Sequence, residues 1–480
     1  MKKTIQQNAR KTASASCIDL DRKYVWHPFT NMREWMDPEF DVVAIKSGRG
    51  AYLFDTEGHK YLDGNSSIWT NIHGHRHPKL DAAIKKQLGK IAHASFLGLT
   101  NDIAPALAAR LVQKMRAPRM NYRVFFSDDG ATAIEAAVKI ALQARRQRGE
   151  GQRNRFVSLG GGYHGDTVGA MSLSHVPQFH KPFEKIVFET TSYAGPNCYR
   201  CPHNRAAPTR NADQRLRRKC SYECMRDFSR FLNDRPQSIC AMVMEPRVQG
   251  AAGMWMHPPG FLAHVASECK KHGIWLILDE VMTGFGRTGT FFACEKERVV
   301  PDMMALAKGL TGGYMPLAAT LISGEIFNAF IGDDARSRTF FHGHSYCGNP
   351  LGCAVALASL DLFDQEEVMG KVDRATTWLK QASHRFWQHP NVGDVRQEGM
   401  ICAIELVEDP ATRKPFDPAR RIGFRVCRVA EKYGLLTRPI GDVLVLMPPF
   451  CVTQQQTRAI VDALWAGLME VLPSKSNPFD

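Results

Sequence analysis

The 480-residue chain has no run near the ~20 uninterrupted apolar residues that a membrane-spanning helix needs, and no charged-then-apolar leader at its start. Both absences point to a cytoplasmic protein without a membrane partner. Internal repeats and low-complexity linkers are missing, and the first 18 residues hold no acid. That basic stretch reads as a short tail or, more faintly, as an organelle transit peptide. Thirteen cysteines without a secretion signal read as reduced thiols, which excludes a disulfide framework. Acids are also in deficit, 48 against 62 Lys and Arg, for a formal net charge of +14. The basic residues are dispersed apart from a cluster between Arg205 and Lys219, which favours small anionic ligands over nucleic acid.

What is present is an ordinary globular composition, 44% hydrophobic and 23% charged, on a chain too long for one core. From Tyr122 onward, the short apolar runs VFFSD, RFVSLGG, SICAMVMEP, IWLILDEV and ATLIS alternate with helical patterns. Runs of this kind predict an α/β fold on a mostly parallel sheet buried on both faces. After about Ser359 the pattern becomes a long helical stretch, an alternating segment around ICAIELVE and a last helix from Gln454 to about Leu472. We expect a large domain over 99–358 and a smaller α+β domain over 359–480, joined by the N-terminal segment 1–98. Residues 197–225, rich in Cys, Arg and Asn, read as a surface insertion.

In parallel sheets ligands sit beyond the carboxyl ends of the strands. Those ends are polar here: Asp128, Asp129 and Gly130 after VFFS, Glu245 after AMVM, Asp279 and Glu280 after IWLIL. Lys308 stands 29 positions after Asp279, among small residues. A strand-end acid and a partly desolvated lysine suit pyridoxal 5'-phosphate (PLP): the carboxylate keeps the pyridine nitrogen protonated, and the lysine carries the cofactor and acts as base.

The stretch LILDEVMTGFGRTG followed by KGLTGG resembles the signature of the class III aminotransferases, a subgroup of the fold type I PLP enzymes, and the resemblance runs from about Val25 to about Val452. It implies a PLP-dependent aminotransferase with a seven-stranded, mostly parallel sheet, Lys308 as catalytic residue and Asp279 on the pyridine nitrogen. In SDDGATAIEAA, Gly130 and Ala131 open a helix that can receive the phosphate. The family usually has Ser where this chain has Asp129, and an acid there is unfavourable unless it points away. In GGYHGDT, Tyr163 would stack on the ring, and Glu245 would lie near it. FFHGHSYCGNPLGCA resembles a loop that crosses to the neighbouring subunit, Gly343 touching substrate and His344 and Ser345 facing phosphate. A homodimer is implied.

YVWHPFTNM, DGNSSIWTNIHGHRHPKLDAAI and LLTRPIGDVLVLMPP resemble the branch of that family that aminates 8-amino-7-oxononanoate to 7,8-diaminononanoate for biotin. There Arg438 would bind the acceptor's carboxylate through its planar fork. Phe29, Ile68, Trp69 and Tyr163 would line the substrate site, supported by Arg287. Members using S-adenosylmethionine as donor commonly have Tyr in place of Phe29 and Trp in place of Ile68, so lysine stands level with adenosylmethionine as donor. Other PLP chemistry, on an ω-amino acid, a diamine or taurine, is the alternative. A non-enzymatic nucleic-acid binder is the other, opposed by the Asp279 and Lys308 pair. Cys198, Cys201, Cys220 and Cys224, in CxxC and CxxxC pairs, could hold a structural zinc or remain free thiols; no catalytic metal is expected.

Overall fold

The computed structural model describes residues 16–208 and 210–473, without the side chains of residues 335 and 336; the basic stretch up to residue 15 lies outside the described residues. A seven-stranded sheet organises the chain, built of β1 (Arg123–Ser127), β2 (Arg155–Leu159), β3 (Thr191–Tyr193), β4 (Ile239–Met244), β5 (Trp275–Asp279), β6 (Met303–Leu306) and β7 (Ala318–Ile322). Their spatial order is β1-β7-β6-β5-β4-β2-β3. All residues of β4, β5, β6 and β7 are buried, which is why these runs are apolar throughout and do not alternate.

Alternate side chains serve two different cores. On one face Met242, Met244, Leu276, Leu278, Met304 and Leu306 join the main core. On the other, Ala241, Trp275, Ile277, Met303 and Ala305 meet helix α1 (Gly130–Gln147) through its alanines. Small residues on α1 let its backbone lie close to the sheet. The helix starts sharply because Asp129 caps it: its Oδ1 accepts the Thr132 N–H at 2.9 Å, and its own N–H donates to Thr132 Oγ1 at 3.1 Å.

Three details depart from the sequence reading. ATLIS forms β7, but β7 runs antiparallel to both neighbours, β6 and β1. The connection between β6 and β7, residues 307–317, holds only a 3₁₀ turn at Lys308–Thr311, whereas a parallel crossover needs a dozen or more residues and usually a helix. Strands β3 and β6 were not among the expected runs; three and four residues long, they are too short to show a period. The segment around ICAIELVE does not alternate, since all of Ile401–Leu406 is buried. Ile401 and Ala403 pack on Val248 and Met254 beside the central sheet, while Cys402 and Ile404 face the main core.

An N-terminal and a C-terminal segment meet in one sheet. Ile45–Arg49, Tyr52–Asp55 and Lys60–Asp63 form an antiparallel meander, and Leu435–Leu436 joins it in parallel, Leu435 opposite Leu62. The closing helix is Gln454–Val471. Among the described residues no helix is long and apolar enough to cross a membrane.

Candidate active site

Beyond the carboxyl ends of β1, β4, β5 and β6 lies a cavity of about 750 Å³, with Trp69, Gly130, Tyr163, Glu245, Asp279 and Lys308 in its wall. Ala131 lines it too, so seven expected residues from six separate segments converge. Lys308 begins the 3₁₀ turn after β6 in a left-handed conformation, φ 42°, that only a constrained loop imposes on a residue with a Cβ. Gly312 and Gly313 follow at φ 63° and 83°. A Cβ on Gly313 would come within 2.9 Å of the Asn71 backbone, so this loop closes down only on glycine.

The electrostatics suit an amine that must shed a proton. Lys308 is half-buried, its Nζ 4.9 Å from the centre of the Trp69 ring, and among the described residues no carboxylate stands within ion-pair range. Burial lowers its pKa below the ordinary lysine value, while the charges of Asp279 and Glu245 hold it up. Asp279, the last residue of β5, places Oδ2 2.8 Å from His164 Nδ1 and receives the Val281 N–H on Oδ1 at 3.1 Å. Glu245 accepts the Gly250 N–H at 2.8 Å and the Tyr163 N–H at 3.2 Å. Burial pushes Glu245 up to about 7, with His164 opposing and Asp279 adding to the rise. Tyr163 donates its hydroxyl to Asp166 at 2.7 Å.

These residues fit PLP. A desolvated amine and a strand-end carboxylate face one cavity, and the N-terminus of α1 opens into the same cavity at Gly130 and Ala131. A Cβ on Gly130 would meet Val281 Cγ1 at 2.7 Å, so the close approach of helix to strand depends on that glycine. Asp129 stays in the cavity wall, its carboxylate accepting the Thr132 N–H as a helix cap at 2.9 Å. His164, buried and bonded to Asp279, is the orienting group that motif reading left among the neighbours of Tyr163.

Other expected residues stand apart in the single chain. Gly343 and Ser345 are exposed and outside the cavity wall, and His344 reaches it only through a 3.5 Å approach to Asp128. Phe29 is 62% exposed, and Ile68 is exposed as well. Arg438 is exposed, away from the cavity wall, with no acid in ion-pair range among the described residues. Arg287 lies behind the site, donating to the carbonyl of Pro448 at 2.9 Å and to Ser66 Oγ at 3.3 Å, with its guanidinium over the Phe450 ring. Burial, only partly opposed by Asp63, brings its pKa down to about 9.

The segment 197–225 is not a loose surface insertion, for Tyr199, Gln214 and Arg215 are buried. Its four cysteines line one small pocket, yet among the described residues no three His, Cys, Asp or Glu side chains are grouped to hold a metal ion. Burial raises the thiols of Cys198 and Cys224, to about 12 and about 11. Charge fastens the segment to the C-terminal sheet: Arg200 to Glu405 at 2.6 Å and Arg215 to Glu398 at 2.7 Å.

The family model for class-III aminotransferases matches residues 35–468. The adenosylmethionine-8-amino-7-oxononanoate aminotransferase of Geobacter sulfurreducens is 45% identical over 446 residues, 93% of this chain and 96% of that protein. The crystal structure of the enzyme of the same name from Methanocaldococcus jannaschii superposes with a TM-score of 0.86 at 37% identity, covering 94% of this chain and 98% of that one. An amine transaminase from an uncultivated Pseudomonas species, solved in a PLP-bound form, gives 0.85 at 34% identity over 93% and 98%. With its desolvated lysine and strand-end aspartate, the chain belongs to the class III aminotransferases and is a PLP-dependent transaminase.

Proposed function

We propose that this protein transfers an amino group to 8-amino-7-oxononanoate, giving 7,8-diaminononanoate for biotin synthesis, as a cytoplasmic homodimer. The observation that carries the reading is the 45% identity, over 93% of the chain, to a relative named for that acceptor. The relatives' names also print adenosylmethionine, and we take it as donor. Lysine is the second reading: Phe29 offers no hydroxyl to a polar donor, and Ile68 stands beside Trp69 where a second indole would widen the aromatic floor.

Bound PLP supplies an electron sink for the carbanion left when a carbon next to nitrogen loses its proton. Asp279, oriented by His164, faces the ring nitrogen and holds a proton there. Lys308 would carry the cofactor until the donor's amine displaces its Nζ; the freed Nζ then takes the proton from the donor's α carbon and later returns one to the acceptor carbon. Tyr163 covers one face of the ring. Gly130 and Ala131 present main-chain N–H groups to the phosphate, and His344 and Ser345 of a second copy complete that side. Arg438, exposed and without an acidic partner among the described residues, takes the acceptor's terminal carboxylate.

Two measurements test this. Adding adenosylmethionine or lysine separately to the holoenzyme should bleach the cofactor absorbance with adenosylmethionine; bleaching by lysine alone reverses the donor assignment, and by neither removes the acceptor assignment with it. Arg438→Ala should raise KM for 8-amino-7-oxononanoate by about 10- to 100-fold, the worth of a charge-assisted pair, and leave donor bleaching intact. Unchanged KM would remove Arg438 from the site.

A further inference from the structure

We infer that Phe179 is a positioning residue that sets the preference for a long apolar acceptor; the inference rests on the acceptor proposed above. Phe179 lies on the single turn Pro177–His180, half-buried, outside the cavity wall. Its ring meets two others edge to face: Tyr163 at 5.7 Å and 69°, and Phe29 at 5.6 Å and 77°. The three form one aromatic row leading from the cavity, where Tyr163 sits, out to the N-terminal segment.

Both ends of the row are fixed at a cost. Tyr163 is held by its N–H on Glu245 and its hydroxyl on Asp166, which leaves the plane of its ring to be set by what packs on it. Phe29 adopts φ 50°, a conformation unfavourable for a residue with a Cβ, and remains 62% exposed. The turn at residues 28–29 imposes that conformation without burying the ring, so its exposed face is available to a ligand. Further along the same segment Phe183 and Ile186 are exposed too, which extends the apolar strip.

An acceptor with an unbranched run of methylenes between its ketone and its carboxylate needs such a strip, since each buried methylene adds binding energy. A short acceptor reacts at the same carbon without reaching Phe29. Phe179 therefore discriminates by chain length: it presents the edges of Tyr163 and Phe29 along one line and takes no part in proton transfer.

The test uses holoenzyme at saturating adenosylmethionine, with 8-amino-7-oxononanoate and a four-carbon α-aminoketone as the two acceptors. Phe179→Ala should raise KM for the long acceptor about tenfold, the order expected for losing its edge-to-face contacts with Tyr163 and Phe29, with kcat and the short acceptor's KM changed less than about threefold. Phe179→Leu should recover most of the loss. Phe29→Ala, at an exposed position, should raise the long acceptor's KM about threefold and decides the matter if Phe179→Ala does not fold. Equal effects on both acceptors, a fall in kcat at constant KM, or no change in either variant would overturn the inference. If wild-type protein leaves 8-amino-7-oxononanoate untouched, the acceptor assignment falls instead, and the same variants read with a long and a short aldehyde still decide the role of Phe179.

Discussion

Buried charge is handled in opposite ways at the cavity and at the seam where segment 197–225 meets the C-terminal sheet. At the cavity Lys308 has an indole face and no ion-pair partner among the described residues, and His164 leaves Nε2 without a hydrogen bond. At the seam Glu398 accepts from Arg215 and Lys296 at 2.7 Å and from Arg247 at 3.1 Å. Arg247 also reaches Glu297, and Arg396 spans Asp394 and Glu405 at 3.1 and 2.7 Å. Four separate stretches of chain are tied together there. Charges with partners hold the seam in one geometry, whereas charges without them keep a proton mobile and an amine reactive.

The largest effect expected from breaking this contrast is on the cavity side. Lys308→Ala should cut transamination by about 10⁴-fold, the upper range for a lost acid–base residue, while circular dichroism stays native. Compared as apoenzymes, Lys308→Met should match or exceed wild type in thermal midpoint, since it removes a desolvated, unpaired amine; a sharp fall in that midpoint would mean that the lysine is structural. On the seam side the direction reverses. Glu398→Ala leaves three cations without their shared acid and should cost about 3–5 kcal/mol of unfolding free energy. Donor bleaching per folded molecule should be unchanged. A loss under 1 kcal/mol by denaturant titration would make the seam ornamental.

The two regions were not equally legible in sequence. Asp279, Glu245 and Lys308 could be found because strand-end position and local spacing put them at one edge of a parallel sheet, and Trp69 and Tyr163 followed from motif resemblance. The seam could not: Arg215 and Glu398 are joined across 183 positions, and nothing local in RQEGM marks Glu398 as the acceptor of three cations. The same distance explains why a segment poor in apolar residues looked like a loose insertion: its anchorage is ionic. Strand β7 was visible as a run but not in direction, since direction depends on what the connection through Lys308 has room for. Phe179 carried no motif and became visible only through the angles of its neighbours.

The contrast can be sharpened by pH, because one glutamate in each region titrates away from its ordinary range and in opposite senses. At the seam, burial alone would raise Glu398, but Arg215, Arg247 and Lys296 bring it down to about 2. In the folded state it releases its proton more readily than in the unfolded chain, so its contribution is present above about pH 4.5 and is lost as pH falls toward 2. At the cavity, Glu245 is raised to about 7. The folded state therefore binds an extra proton between about pH 4.5 and 7, and stability falls as pH rises through that window. Each shift corresponds to at most about 3 kcal/mol. Denaturant midpoints followed from pH 3 to 8 should show an acid limb that Glu398→Gln flattens and a neutral-range decline that Glu245→Gln flattens. If both variants flatten the same limb, the two regions are one electrostatic unit and the contrast drawn between them is wrong.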